Sequence, residues 1–138
     1  MIAVVVTAAV LTKPQYQALI DRANARVTKA ENATRRGITP TASPARIAQL
    51  LDGQAAAESA NARMFAAAEP PARVRKVNAE LVRAERLFAA ELRTMAHEIR
   101  TSKHPRATVS AMLHGPGPHP GPQLLDRAIA RLHKLGYR

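Results

Sequence analysis

The stretch PARVRKVNAELVRAERLFAAELRTMAHEIRTS, residues 71–102, decides the fold of this chain. Apolar residues recur along it at alternating spacings of three and four, at Val74, Val77, Leu81, Ala84, Phe88, Leu92, Met95 and Ile99. This spacing is typical of a helix that buries one face against other helices. A helix of about 32 residues extends roughly 48 Å. The stretch therefore predicts the spine of a helical bundle or hairpin.

The flanking sequence predicts two helices before the spine and one after it. Thr12 and Ser43 are each followed by a proline within two residues, as in helices whose N-cap precedes a proline in the first turn. Gly37 predicts the end of the first helix, and Pro70-Pro71 predicts a corner that turns the spine back along the second. We expect an all-α fold, an antiparallel helical bundle or hairpin of three main helices plus a short C-terminal helix.

Composition divides the chain into four segments. Residues 1–11 are an uninterrupted apolar run, residues 12–113 form the helical domain, residues 114–122 are a connector rich in Pro and Gly, and residues 123–138 form the C-terminal helix. Alternating Pro and Gly favours an extended, polyproline-like connector. The apolar run is shorter than the roughly 20 residues that span a bilayer. It fits a buried strand, a lead-in to the first helix or a truncated signal peptide.

The location of the protein stays open at this level. The small residues Thr7-Ala8-Ala9 would suit cleavage of a signal peptide. A signal peptide also has a basic segment before its apolar run, and no Lys or Arg precedes the apolar run here. Export or membrane association is therefore as well supported as a cytoplasmic location.

The charge of the chain is strongly positive, because 21 Lys and Arg residues oppose 10 Asp and Glu residues to give a formal net charge of +11. Such a surface attracts nucleic acid, an acidic protein or an anionic lipid surface, and charge alone does not choose among them. The residues that we expect to bind an anionic partner are Arg35, Arg36, Arg73, Arg75, Lys76, Arg131, Lys134 and Arg138.

Residues 95–101, MAHEIRT, resemble the phosphoacceptor box of sensor histidine kinases. In that family an exposed helical histidine accepts a phosphoryl group. The resemblance implies His97 as the phosphoacceptor, Glu98 as an acid or base and Thr101 as the residue that orients water. It gives one alternative function, a histidine phosphotransfer or dimerisation module.

A broader resemblance covers roughly residues 11–96. Residues 11–16, LTKPQY, and residues 66–72, AAAEPPA, followed by Leu81-Val82, look like small helical exported or lipid-anchored proteins of actinobacteria. This resemblance implies a helical, exported or lipoprotein-like protein of a group whose functions are largely unknown. Many members carry a lipidated cysteine before the first helix, and this chain has no cysteine.

The sequence shows no pattern of a catalytic site or a metal site. A nucleophile elbow, a phosphate-binding glycine loop and a His-Glu-x-x-His motif are all missing, and we expect the acidic residues to lie along charged helix faces. Without cysteine there is no disulfide frame or thiol nucleophile. His104, His114 and His119 lie in or beside the connector, which supports metal ligands poorly. We therefore expect no catalysis, cofactor, metal or small-molecule substrate.

The function that we expect is that of a small basic helical interaction or structural protein. Its apolar helix stripes would contact a protein partner or a second copy of the chain, and its arginines would contact an anionic partner. Non-specific nucleic-acid binding, driven by phosphate contacts and steeply dependent on salt, is the other alternative that the sequence leaves open.

Overall fold

The computed structural model of the chain describes residues 8–115 and 119–138. Residues 1–7 and 116–118, which belong to the predicted apolar run and connector, lie outside the described residues. Within the described ranges the chain forms helices and no strand, which confirms the all-α class. The helices are α1 (Lys13–Gly37), α2 (Pro44–Ala67), α3 (Arg75–Thr101), α4 (Pro105–His114) and α5 (Pro120–Lys134), with a 3-10 turn at Ala72–Val74 before α3.

Capping contacts explain where α1 and α2 begin. Thr12 Oγ1 accepts a hydrogen bond from the Gln15 backbone N–H at 3.3 Å, and Gln15 Oε1 accepts one from the Thr12 N–H at 2.9 Å. Ser43 Oγ likewise accepts a hydrogen bond from the Arg46 N–H at 3.1 Å. These bonds satisfy amide groups that have no partner within the helix. They confirm the predicted helix starts at Thr12 and Ser43.

The C-terminal part of the chain contains two helices, α4 and α5, whereas one helix was predicted after the spine. α4 ends at His114, so this histidine belongs to a helix and not to the connector. α5 begins at Pro120, three residues before the predicted start at Gln123. Both helices have proline in the first turn, where the missing N–H needs no partner and the fixed φ angle suits the helix.

α2 and α3 run antiparallel to each other along most of their length. Arg93 Nη2 donates a hydrogen bond to Ser59 Oγ at 2.7 Å, and Arg100 pairs with Asp52 at 2.6 Å. Residue numbers therefore rise along α3 as they fall along α2. The turn that reverses the chain contains the predicted Pro70-Pro71 corner.

α5 runs antiparallel to α3 on another side. The Gly121 N–H donates to Glu91 Oε1 at 3.0 Å, and Arg131 pairs with Glu80 nearer the start of α3. A glycine is required at residue 121, because a Cβ atom there would lie 2.7 Å from Phe88 Cα. The backbones of α3 and α5 are therefore in close contact at this point.

α1 contacts α2 and also the C-terminal residues of the chain. Arg26 Nη1 donates to Asn61 Oδ1 of α2 at 2.7 Å. The Tyr137 ring packs edge-on against the Tyr16 ring, with 5.4 Å between the ring centroids. The C-terminal residues that follow α5 therefore pack against the first turn of α1.

The hydrophobic core consists of two clusters. The tyrosine cluster contains Tyr16, Ile20, Ala23, Phe65, Val74, Val77, Leu81, Val82, Ala128, Leu132 and Tyr137. The alanine cluster contains Ile47, Ala48, Leu51, Ala55, Ala89, Leu92, Ala96, Ile99 and Val109. In the first cluster the buried Tyr16 hydroxyl donates to Asn78 Oδ1 at 2.8 Å, so its polar atom is satisfied.

The buried stripe of α3 differs from the predicted one at two places. Phe88 and Met95 are only partly buried, whereas their neighbours Ala89 and Ala96 are fully buried. α2 presents further small residues, including Ala55, to the same cluster. Because alanine has only a Cβ atom, the two helix backbones can approach closely here, and the larger side chains lie at the edges of the contact.

The apolar stripes of the helices are mostly covered within the chain. Among the described residues, Val10 and Leu113 are the large hydrophobic side chains that stay exposed, at 55% and 51%. Across the same part of the chain, none of the helices combines the length and the apolar character needed to span a membrane.

We expect the substitution Gly121→Ala to destabilise the fold by about 1–3 kcal/mol, the usual range for overpacking, because its Cβ would collide with the Phe88 backbone. Gly53→Ala is the matched control, since a Cβ at residue 53 meets nothing within 4 Å. In mid-helix this change stabilises by about 0.5–1 kcal/mol. Urea unfolding followed by circular dichroism measures both effects. Equal effects of the two substitutions would contradict the close contact of α3 and α5.

Candidate functional site

Two carboxyl groups are buried at the centre of the α2–α3 contact. Glu58 on α2 is 0% exposed and Glu85 on α3 is 3% exposed. Each lies on the buried stripe of its helix. Glu58 is three residues after Ala55 and Glu85 is four residues after Leu81, and residues three or four apart lie on the same helix face. The prediction that the acidic residues lie along exposed charged faces is therefore wrong for this pair.

The carboxyl pair has few hydrogen-bond partners. Neither oxygen of Glu58, nor Oε2 of Glu85, has a hydrogen-bond partner among the described residues. Removal from water raises the pKa of both groups, and for Glu85 to about 10. Their proximity raises the pKa of Glu85 and lowers that of Glu58. The pair therefore holds at least one proton at neutral pH.

A polar chain connects the carboxyl pair to α1. Asn61, which is 1% exposed, accepts a hydrogen bond from Arg26 Nη1 and donates one from Nδ2 to the Ala23 carbonyl at 3.3 Å. Asn61 and the charge of Arg26 both act to lower the pKa of Glu85, whereas Glu31 raises that of Glu58. Burial outweighs these opposing contributions, so Glu85 remains protonated at neutral pH.

A cavity of about 170 Å³ lies beside Glu85, between α1, α2, α3 and α5. Its walls are largely hydrocarbon, and its polar lining comes from the side chains of Asn24, Glu31, Asn61, Glu85 and Asp126. None of the residues that line it is a Lys or an Arg. This part of an otherwise basic protein is therefore locally acidic.

A basic surface forms at the end of the molecule where α1 begins and α5 ends. Lys13, Arg73 and Tyr137 line a cavity of about 190 Å³ there. Lys13 Nζ lies 5.3 Å from the centroid of the Tyr137 ring, a cation–π distance. The sequence pattern does not mark Lys13, because its neighbours in the sequence are uncharged and its basic neighbours come from other helices.

Five of the predicted anion-binding residues line this cavity or lie within two residues of those that do. We call the following set the basic end: Lys13, Arg73, Arg75, Lys76, Lys134 and Arg138. Arg75 lies 3.4 Å from Glu69, and Arg131 lies farther along α5 in an ion pair with Glu80. Arg35 and Arg36 lie in the last turn of α1, roughly 30 Å along the helix from Lys13. The predicted set is therefore divided between two ends of the molecule.

A second basic surface was not predicted. Arg26, Lys29 and Arg46 line a groove of about 350 Å³ between α1 and α2, and no Asp or Glu is among its lining residues. These residues are single basic positions spread over two helices, so no run of charge in the sequence marks them.

The predicted phosphoacceptor residues are all exposed on the last turns of α3. Thr101 Oγ1 donates a hydrogen bond to the His97 carbonyl at 2.9 Å, which is a local contact within the helix. Glu98 and Met95 line a cleft of about 720 Å³ between α3 and α4, and His97 is not among its lining residues. The structure therefore does not bring His97 and Glu98 into one pocket.

In residues 8–115 and 119–138, no three His, Asp or Glu side chains come together as a group that could hold a metal ion. Comparisons of the chain with protein families, with curated proteins and with solved structures find no match. We therefore infer its function from the geometry and the charge of the described residues.

The carboxyl pair makes stability depend on pH. The pKa of Glu85 is raised to about 10 in the folded chain, so the folded state keeps a proton that the unfolded state loses above about pH 4.5. We expect the free energy of unfolding to fall as pH rises from about 5 to 10, by up to about 1.4 kcal/mol per pH unit for one proton. Urea unfolding across this range measures the slope.

The matched variants for this prediction are Glu85→Gln and Glu98→Gln, a buried and an exposed carboxyl group on the same helix. Glu85→Gln should flatten the slope of the free energy of unfolding against pH and increase that free energy above neutral pH. Glu98→Gln should leave the slope and the free energy unchanged. A slope that Glu85→Gln does not alter would show that Glu85 ionises as freely as an exposed glutamate.

Proposed function

We propose that this chain is a small basic helical interaction protein that binds an anionic partner at the basic end. Its scaffold is an antiparallel bundle of three main helices and a shorter C-terminal helix. The observation that carries the proposal is the convergence of basic residues from three distant parts of the chain, residues 13, 73–76 and 134–138, on one end of the molecule.

The positive charge at this end is largely uncompensated. Among the described residues, the cations without a carboxylate oxygen within 4 Å include Lys13, Arg73, Lys76, Lys134 and Arg138, while Glu69 pairs with Arg75. A concentration of one charge on a surface raises the local concentration of oppositely charged partners and their association rate. An anionic group is therefore the ligand chemistry that best fits this end.

Charge supports the interaction better than apolar contact does. The apolar stripes that were expected to contact a partner pack against one another within the chain. Tyr137, whose ring lies beside Lys13 of the basic end, is 6% exposed and offers no free face for stacking on a base. Binding should therefore depend on phosphate or carboxylate contacts, with little preference for sequence.

We expect the triple variant Arg73→Gln, Lys76→Gln, Lys134→Gln to bind a fluorescent single-stranded oligonucleotide at least tenfold more weakly at low salt. The slope of log affinity against log salt should decrease by about 2, because roughly 0.7 counterions are released per phosphate contact on a single strand. Fluorescence anisotropy at several salt concentrations measures both quantities.

The matched control is Lys29→Gln, Arg35→Gln, Arg36→Gln, which removes the same charge from residues outside the basic end. It should retain most of the affinity. Equal losses in both variants would show that net charge, and not the basic end, drives binding. Anionic vesicles and polyglutamate in the same assay distinguish a lipid surface and an acidic protein from nucleic acid. Affinity that is independent of salt for all three would overturn the proposal.

A further inference from the structure

The cavity beside Glu85 combines hydrocarbon walls with an unsatisfied buried acid. Its apolar lining includes Ile20, Val27, Phe65, Leu81, Ile129 and Leu132. Glu85 also lines it, is 3% exposed, and has an Oε2 atom without a hydrogen-bond partner. Buried polar atoms are normally hydrogen-bonded. A cavity next to a buried polar atom that has no hydrogen-bond partner is therefore a candidate ligand site.

We propose that this cavity binds an alkylammonium ion, a short hydrocarbon chain that ends in a protonated primary amine. The ammonium group contacts Glu85, and the hydrocarbon chain lies against the apolar wall. The volume of about 170 Å³ is close to the roughly 150 Å³ of an apolar cavity that takes benzene. It therefore suits a chain of about four to six carbon atoms.

An ammonium group supplies the donor that the free Glu85 oxygen lacks. An ammonium group has three N–H donors and no acceptor, and Glu85, the member of the carboxyl pair that lines the cavity, has one oxygen without a partner. A charge-assisted bond to a carboxylate is roughly twice as strong as a neutral one. The ligand supplies the donors that the protein side chains do not.

The surrounding charges favour a cation. Glu31 and Asp126 line the same cavity, and no Lys or Arg does. Arg26, which acts on the Glu85 carboxyl from α1, is hydrogen-bonded to Asn61. A metal ion would need several oxygen ligands arranged around it, and the residues that the structure describes hold no such group. The apolar wall instead favours an organic cation.

Binding is coupled to protonation. Glu85 on α3, Glu31 on α1 and Asp126 on α5 line the site, while Glu58 on α2 and Arg26 on α1 act on Glu85 from outside it. The pKa of Glu85 is about 10 in the free protein, and a bound cation lowers it. The ligand therefore displaces a proton, and its affinity rises with pH up to about 10, where a primary amine itself begins to lose its charge.

The test is isothermal titration of the protein with n-butylammonium chloride at pH 7 and pH 9, in two buffers of different ionisation enthalpy. We expect saturable binding, release of a proton at pH 7, and affinity at least tenfold higher at pH 9. 1-Butanol, which has a similar shape and no charge, should bind at least tenfold more weakly than butylammonium at pH 9.

The variant Glu85→Gln should lose at least tenfold in affinity for butylammonium and should no longer release a proton, while Glu98→Gln should behave as the parent protein does. Asp126→Asn, at the edge of the cavity, should weaken binding by a smaller factor. N-acetyl-lysine methylamide distinguishes the two sources of this chemistry, because it binds if a lysine side chain enters the cavity and does not if the site accepts free amines alone.

Three results would overturn the proposal. They are equal affinities for butylammonium and 1-butanol, undiminished binding to Glu85→Gln, and absence of heat for butylammonium at both pH values. Because these variants leave the basic end unchanged, failure here leaves the oligonucleotide binding of that end as a separate result.

Discussion

The close approach of α2 to α3 is the contact on which the rest of the structure depends. Alanine residues on both helices let the backbones come together, so polar side chains on the same stripes are largely removed from water. Glu58 and Glu85 are buried for this reason, not because either is intrinsically suited to a core. α1 and α5 then pack around this pair of helices and close the tyrosine cluster.

Features set by local sequence could be predicted, and features set by packing could not. Thr12 and Ser43 begin helices because their capping bonds involve only the next three residues. The predicted stripe of α3 contains Phe88 because phenylalanine is more hydrophobic than alanine. Ala89 is the fully buried residue instead, because a close contact between helices favours the smaller side chain. The buried glutamates could have been found from their spacing alone, had charge not been taken as a sign of exposure.

The candidate surfaces follow the same rule. Clusters such as Arg73, Arg75 and Lys76 are visible in the sequence because they are contiguous. Their union with Lys13 depends on the tertiary arrangement that places the start of α1 beside the end of α5. The cavity beside Glu85 is lined from all four of the longer helices. No pattern within one helix could therefore indicate it.

The buried carboxyl pair also alters the electrical character of the whole protein. A proton retained by Glu85 in the folded chain is absent from the formal charge of +11, which counts every glutamate as ionised. Folding at neutral pH therefore takes up a proton from solution, and the folded protein is more cationic than its own unfolded chain. Its migration in an electric field would report the folded state through charge as well as through size.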